Sequence, residues 1–74
     1  MTLITHLAEH RKTARLTQAK LAQAVGVSRK TINTIENNVF VPSTVLALKL
    51  AARLEVSVHD LFVLPENTNP KETT

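Results

Sequence analysis

The stretch Leu16-Thr17-Gln18-Ala19-Lys20-Leu21-Ala22-Gln23-Ala24-Val25-Gly26-Val27-Ser28-Arg29-Lys30-Thr31-Ile32-Asn33-Thr34-Ile35-Glu36-Asn37 decides the fold. Thr17 is a good helix N-cap, because its hydroxyl can accept one of the N–H groups that a first turn leaves unpaired. Leu21, Ala22 and Val25 follow at helical spacing. Gly26 ends that helix, since glycine takes positive φ at little steric cost. Val27 fills a turn, Ser28 caps a second helix, and this one continues to about Asn37 with Ile32 and Ile35 facing inward.

Two short helices joined by so tight a turn must cross at a steep angle, with Leu21, Val25, Val27 and Ile32 closing the corner. This is the layout of a helix-turn-helix. The second helix stands out from the body, and a DNA major groove is wide enough to admit it. On its wheel, Arg29, Lys30, Asn33, Thr34 and Asn37 fall on the stripe opposite Ile32 and Ile35. All five can donate hydrogen bonds and none is acidic. Base edges and phosphates ask for such a set: bidentate donors for guanine, amides for adenine, a methyl for thymine. An ordinary solvated helix face mixes both signs of charge, and this one does not.

Three more helices are expected around this pair. The first runs from about Leu3 to Arg15, with Ile4, Leu7, Ala8 and Arg11 on one side. Asn38-Val39-Phe40-Val41-Pro42 is a loop, because Pro42 blocks a continuing helix. Its apolar residues either fold onto the core or serve a contact. Ser43 caps a fourth helix, about Thr44 to Leu54, with Leu46, Leu50, Ala51 and Leu54 on one side. Ser57-Val58-His59-Asp60 has the form of a capping box and opens a short fifth helix ahead of Leu61 and Phe62. Residues 1–64 thus read as one domain, and 65–74 as a polar, frayed C-terminal tail.

The whole chain is consistent with a small binding module. Its 74 residues allow one domain, 43% of them apolar and 20% charged, with a net charge of +3. A chain of this length buries only roughly 60–65% of its unfolded surface, which leaves little room for a catalytic cleft. One glycine and two aromatics argue against an all-β fold and for an all-α one. The absence of cysteine excludes disulfides and thiolate metal sites. Residues 1–37 carry six cations against Glu9 and Glu36, whereas residues 38–74 carry three against four carboxylates. A basic half beside a near-neutral one points to a face made for an anion. No apolar run is long enough to span a membrane, and the charged N-terminus does not read as a secretory signal, so a cytoplasmic protein is expected.

Two charged residues fall on inward sides, Arg11 amid the apolar stripe of the first helix and Glu36 beside Ile32. A buried charge needs a partner, and pairing with each other is the simplest solution. Such a bridge would tie the first helix to the third and set the angle of the latter.

These residues together resemble the Cro and phage-repressor type of helix-turn-helix, the XRE family. The resemblance rests on Leu16 to Ala22, Val25-Gly26-Val27-Ser28, Thr31-Ile32, Ile35-Glu36-Asn37, Pro42-Ser43, Leu46 to Ala51, Val56-Ser57 and Leu61-Phe62. It covers about residues 3–64 and implies a compact five-helix, lambda-repressor-like domain that binds double-stranded DNA as a homodimer. By position it implies base contacts from Ser28, Arg29, Lys30, Asn33 and Thr34. It implies phosphate contacts from Arg11, Lys12, Gln18, Asn37 and Asn38, with the Gln18 amide also suited to meet the first residues of the recognition helix. Arg11 and Glu36 match the buried pair of the family. The dimer interface would fall on Val58, Leu61, Phe62, Val63 and Leu64, which exceed the apolar needs of one short helix. Two usual glycines are replaced, by Asn38 and by Glu55, which touches the geometry of two turns but not the stripe.

Other signals are weaker. His6-Leu7-Ala8-Glu9-His10 matches a zinc-protease spacing, but the chain is short for a protease and offers no clear third ligand. No phosphate-binding glycine loop, cofactor site, metal site or small-molecule pocket is legible. The expected protein is therefore not an enzyme but a transcriptional regulator, a repressor, with helix 29–37 in the major groove over an inverted repeat. The same fold could instead serve as a protein-interaction module such as an antitoxin or anti-repressor.

Overall fold

Among the described residues, four of the five helices begin on a side-chain hydroxyl, as elementary capping chemistry favours for Ser and Thr. The structure is a computed structural model and describes residues 3–65. Thr17, Ser28, Ser43 and Ser57 accept from the main-chain N–H groups of Lys20, Thr31, Leu46 and Asp60 at 3.0–3.2 Å. They open α2 (Gln18–Val25), α3 (Arg29–Glu36), α4 (Thr44–Leu54) and α5 (Val58–Leu61). At α5 the Ser57 N–H returns a 2.9 Å bond to Asp60 Oδ2, which completes a capping box. That N–H, and then the Ser57 hydroxyl, hold the Asp60 carboxyl below its ordinary value.

The first helix starts differently. α1 spans Leu7–Thr13, and the cap residue His6 makes no side-chain cap bond. Thr5 Oγ1 instead accepts from the Leu7 N–H at 3.2 Å. Ahead of it, β1 (Ile4–Thr5) pairs antiparallel with β2 (Phe62–Val63), with Ile4 opposite Val63 and Thr5 opposite Phe62. The His6 N–H donates to the Leu61 carbonyl at 2.7 Å and extends this pairing. The fold is therefore mostly helical but not strictly all-α, and the expected helix from Leu3 loses its first turn. Ile4 and Thr5 are β-branched and favour the extended form once a second segment lies alongside.

Left-handed residues close several helices. Gly26 ends α2 at φ 79° and Glu55 ends α4 at φ 58°. Asn38 at φ 60° and Arg15 at φ 61° turn the chain after α3 and α1. Glu55 thus keeps the left-handed end that a glycine would favour, and bears its steric cost. Glu55→Gly should relieve about 1 kcal/mol of strain, net of the extra freedom glycine has when unfolded. The check is urea denaturation, whose midpoint should rise at unchanged m-value.

Leu7, Leu21, Ile32, Ile35, Leu50 and Leu61 are fully buried. Ala22, Val25, Leu46, Ala47, Ala51 and Phe62 complete the core, with Leu16, Val27, Leu54 and Val56 at its edge. α2 packs chiefly on α3 and α4, so the helix-turn-helix corner is also the centre of the core. The proposed dimer set divides accordingly. Leu61 and Phe62 lie in the core of the chain. Val58 is half-buried, and Val63 and Leu64 are exposed. Among the described residues no helix is long and apolar enough to cross a membrane. The polar tail expected after Leu64 lies, past Pro65, outside the described residues.

Candidate nucleic-acid interface

The exposed face of α3 is sorted by which polar groups the fold already uses. Ser28 Oγ is engaged with the Thr31 N–H and, at 3.0 Å, with Thr31 Oγ1. Thr34 Oγ1 donates to the Thr31 carbonyl at 2.8 Å, and Asn37 Nδ2 donates to the Asn33 carbonyl at 2.8 Å. Arg29, Lys30 and Asn33 are exposed, and among the described residues their side chains make no hydrogen bond. Two cations and an amide therefore stand free along one stripe. Thr34 lies half-buried at its edge, and Asn37 and Asn38 are exposed just past its end.

The one carboxylate of α3 is turned away from this face and spent inside the fold. Glu36 Oε2 accepts from Arg11 Nε at 2.6 Å, and Glu36 Oε1 accepts from Arg11 Nη2 at 3.2 Å. This fork is bidentate, the strong geometry for a guanidinium and a carboxylate. The two side chains keep only 11% and 7% of their surface in water. Arg11 Nη1 also donates to the Leu16 carbonyl at 2.8 Å, in the turn that Arg15 makes possible. Gln18 Nε2 donates to Glu36 Oε1 at 2.9 Å. One carboxylate thus joins α1, the start of α2 and the end of α3. The Gln18 amide meets the last residue of α3, not its first residues as the resemblance implied. Sequence reasoning missed the Leu16 carbonyl and this use of Gln18, because neither partner is marked by residue type or spacing.

Arg11 accordingly has three of its five N–H donors on protein acceptors. Lys12, the next residue, is exposed on α1, which packs on α3. The His6–Glu9–His10 spacing yields a 2.8 Å contact between His6 Nδ1 and Glu9 Oε1. Among the described residues no three metal-ligating side chains come together.

A helix-turn-helix family model matches residues 7–61, and the chain belongs to this family, the XRE type of transcriptional regulators. An uncharacterized HTH-type transcriptional regulator of Methanothermobacter thermautotrophicus is 42% identical over 64 residues, 85% of this chain and 93% of that one. The restriction-modification controller protein C.AhdI of Aeromonas hydrophila superposes with a TM-score of 0.69 at 31% identity. That superposition covers 73% of this chain and 82% of C.AhdI. The biofilm master regulator SinR, solved in complex with DNA, superposes with a TM-score of 0.67 at 33% identity, over 72% of this chain and 86% of SinR.

Proposed function

We propose that this is a cytoplasmic, sequence-specific transcriptional repressor that lays α3 in the major groove of double-stranded DNA and binds an inverted repeat as a homodimer. The observation that carries the reading is the outward stripe of α3, with Arg29, Lys30 and Asn33 free and its one carboxylate withdrawn. Those three residues are assigned to base edges, with Ser28 and Thr34 at the margins. Guanidinium and ammonium groups suit guanine O6 and N7, and an amide suits adenine. Lys12, Gln18, Asn37 and Asn38 are assigned to phosphates; Gln18 and Asn37 each keep a second amide hydrogen for this. Arg11 is better read as a positioning residue than as a phosphate ligand, since Glu36 neutralises it. The similarity to SinR, whose structure was solved with DNA, supports the reading.

A dimer would place two α3 helices about 34 Å apart, one turn of the duplex. Val63 and Leu64, with the edge of Val58, are the part of the expected interface still open to a partner subunit. The reading is tested by comparing Arg29→Ala with Lys12→Ala on selected duplexes. Arg29→Ala should relax base preference at one or two positions, a loss of about 1–3 kcal/mol of discrimination. Lys12→Ala should weaken binding to every sequence alike and flatten the salt dependence. An unchanged preferred site in Arg29→Ala would remove the stripe from the account.

A further inference from the structure

The α3–α4 loop builds a second wall beside the reading stripe. Asn38 turns the chain back, and the N–H groups of Val39 and Phe40 both donate to the Thr34 carbonyl, at 2.9 and 3.2 Å. The loop is thereby fixed to the outer edge of α3. Between them lies a groove of about 460 Å³ walled by Val27, Lys30, Thr31, Thr34, Val39, Phe40 and Leu46, the Thr31 hydroxyl being paired with that of Ser28. Val39 is 76% exposed and Phe40 47% exposed, and neither joins the core. The Thr34 hydroxyl has given its hydrogen to Thr31, so Thr34 brings no free donor to the groove. The loop from Asn38 to Pro42 carries no cation to meet a phosphate. Only Lys30, shared with the reading stripe, is charged.

A groove of this kind, continuous with a face that reads base edges, calls for an apolar group next to a hydrogen-bond acceptor. The major groove has one such apolar group, the C5-methyl of thymine. We propose that the groove between α3 and the Val39–Phe40 loop receives a thymine methyl, and that Val39 and Phe40 are specificity-determining residues. Lys30, on the same wall, then bonds an acceptor of the neighbouring base. The inference rests on the DNA-binding reading above and adds a base and two residues to it.

The test uses the full chain and the duplex it enriches from a random pool. Each thymine is replaced in turn by deoxyuridine, which pairs identically and lacks only the methyl. One thymine per half-site should show a loss of about fourfold in affinity, the worth of one buried methyl. Phe40→Ala and Val39→Ser should each bind the thymine and uridine duplexes equally at that position, while uridine effects elsewhere persist. Val39→Ser alters a largely exposed side chain and keeps the test valid should Phe40→Ala fold poorly. The proposal is overturned if no thymine shows the effect, or if both variants retain it. It is equally overturned if they weaken all duplexes alike, which assigns the loop to the sugar-phosphate backbone. Loss of self-association with uridine discrimination intact assigns the loop to a protein contact and also overturns it. Failure to enrich any duplex sinks the DNA-binding reading itself, and the inference with it.

Discussion

Glu36→Ala is expected to cost about 3–5 kcal/mol of folding stability, nearer the lower figure because both side chains keep an edge in water. The reason is asymmetry. Removal of the carboxylate leaves the Arg11 side chain, only 11% exposed, without its counter-charge. It also strands the Gln18 amide donor. A domain of 74 residues has about 4–11 kcal/mol in total, so the variant would be close to unfolding. Removing both charges should do less harm. Arg11→Met with Glu36→Leu exchanges the pair for apolar groups of similar size, which often comes near neutrality. The check is thermal unfolding of the two variants beside the wild type. If the double variant were the less stable, the bridge would be worth more as an attraction than the desolvation argument allows. The bridge is also what sets α3 on α1, so the double variant should fold yet bind DNA with a poorly fixed recognition helix.

Leu50→Ala is the second large effect, expected at about 2–5 kcal/mol. Leu50 is 0% exposed on α4 and belongs to the core that the helix-turn-helix corner closes. The cost has two parts, the lost transfer energy of the removed carbons and the cavity left behind. So small a core has few neighbours that can move to fill the space. At about 4–8 °C per kcal/mol for a domain of this size, Tm should fall by roughly 10 °C or more. Val45, on the same helix but exposed, is the control. Val45→Ala should stay within about 0.5 kcal/mol.

Much of this organisation was legible because hydroxyl caps and glycine stops act locally. Thr17, Ser28, Ser43 and Ser57 each cap a helix where the residue pattern predicts one. Gly26 takes the left-handed turn between α2 and α3, and Ile32 and Ile35 face inward. The boundaries of α4 follow from Ser43 in the same way. What escaped is long-range or too short for periodicity. A two-residue strand has no pattern of its own, and β1 meets β2 from the opposite end of the chain. Without that partner in view, Ile4 reads as the apolar face of a helix. Leu61 and Phe62 can be read from sequence as core or as interface, because spacing identifies apolar residues but not what covers them; in the structure both lie in the core of the chain.

At the site, residue type was enough to mark the stripe of α3, because the absence of a carboxylate is visible without coordinates. It did not show which donors are free. Ser28, Thr34 and Asn37 look as available as Arg29 and Lys30 until their local bonds are drawn. Nor did it decide the role of Val39 and Phe40, whose exposure follows from the two bonds that hold the loop against Thr34.

The measurement that bears most directly on the central claim is selection of bound duplexes from a random DNA pool, by the whole chain, at near-physiological salt. An enriched inverted repeat with half-site centres about one helical turn apart is the predicted result. Retention of all sequences alike, with binding that disappears as salt is raised, would contradict it, because it would leave α3 with backbone contacts alone.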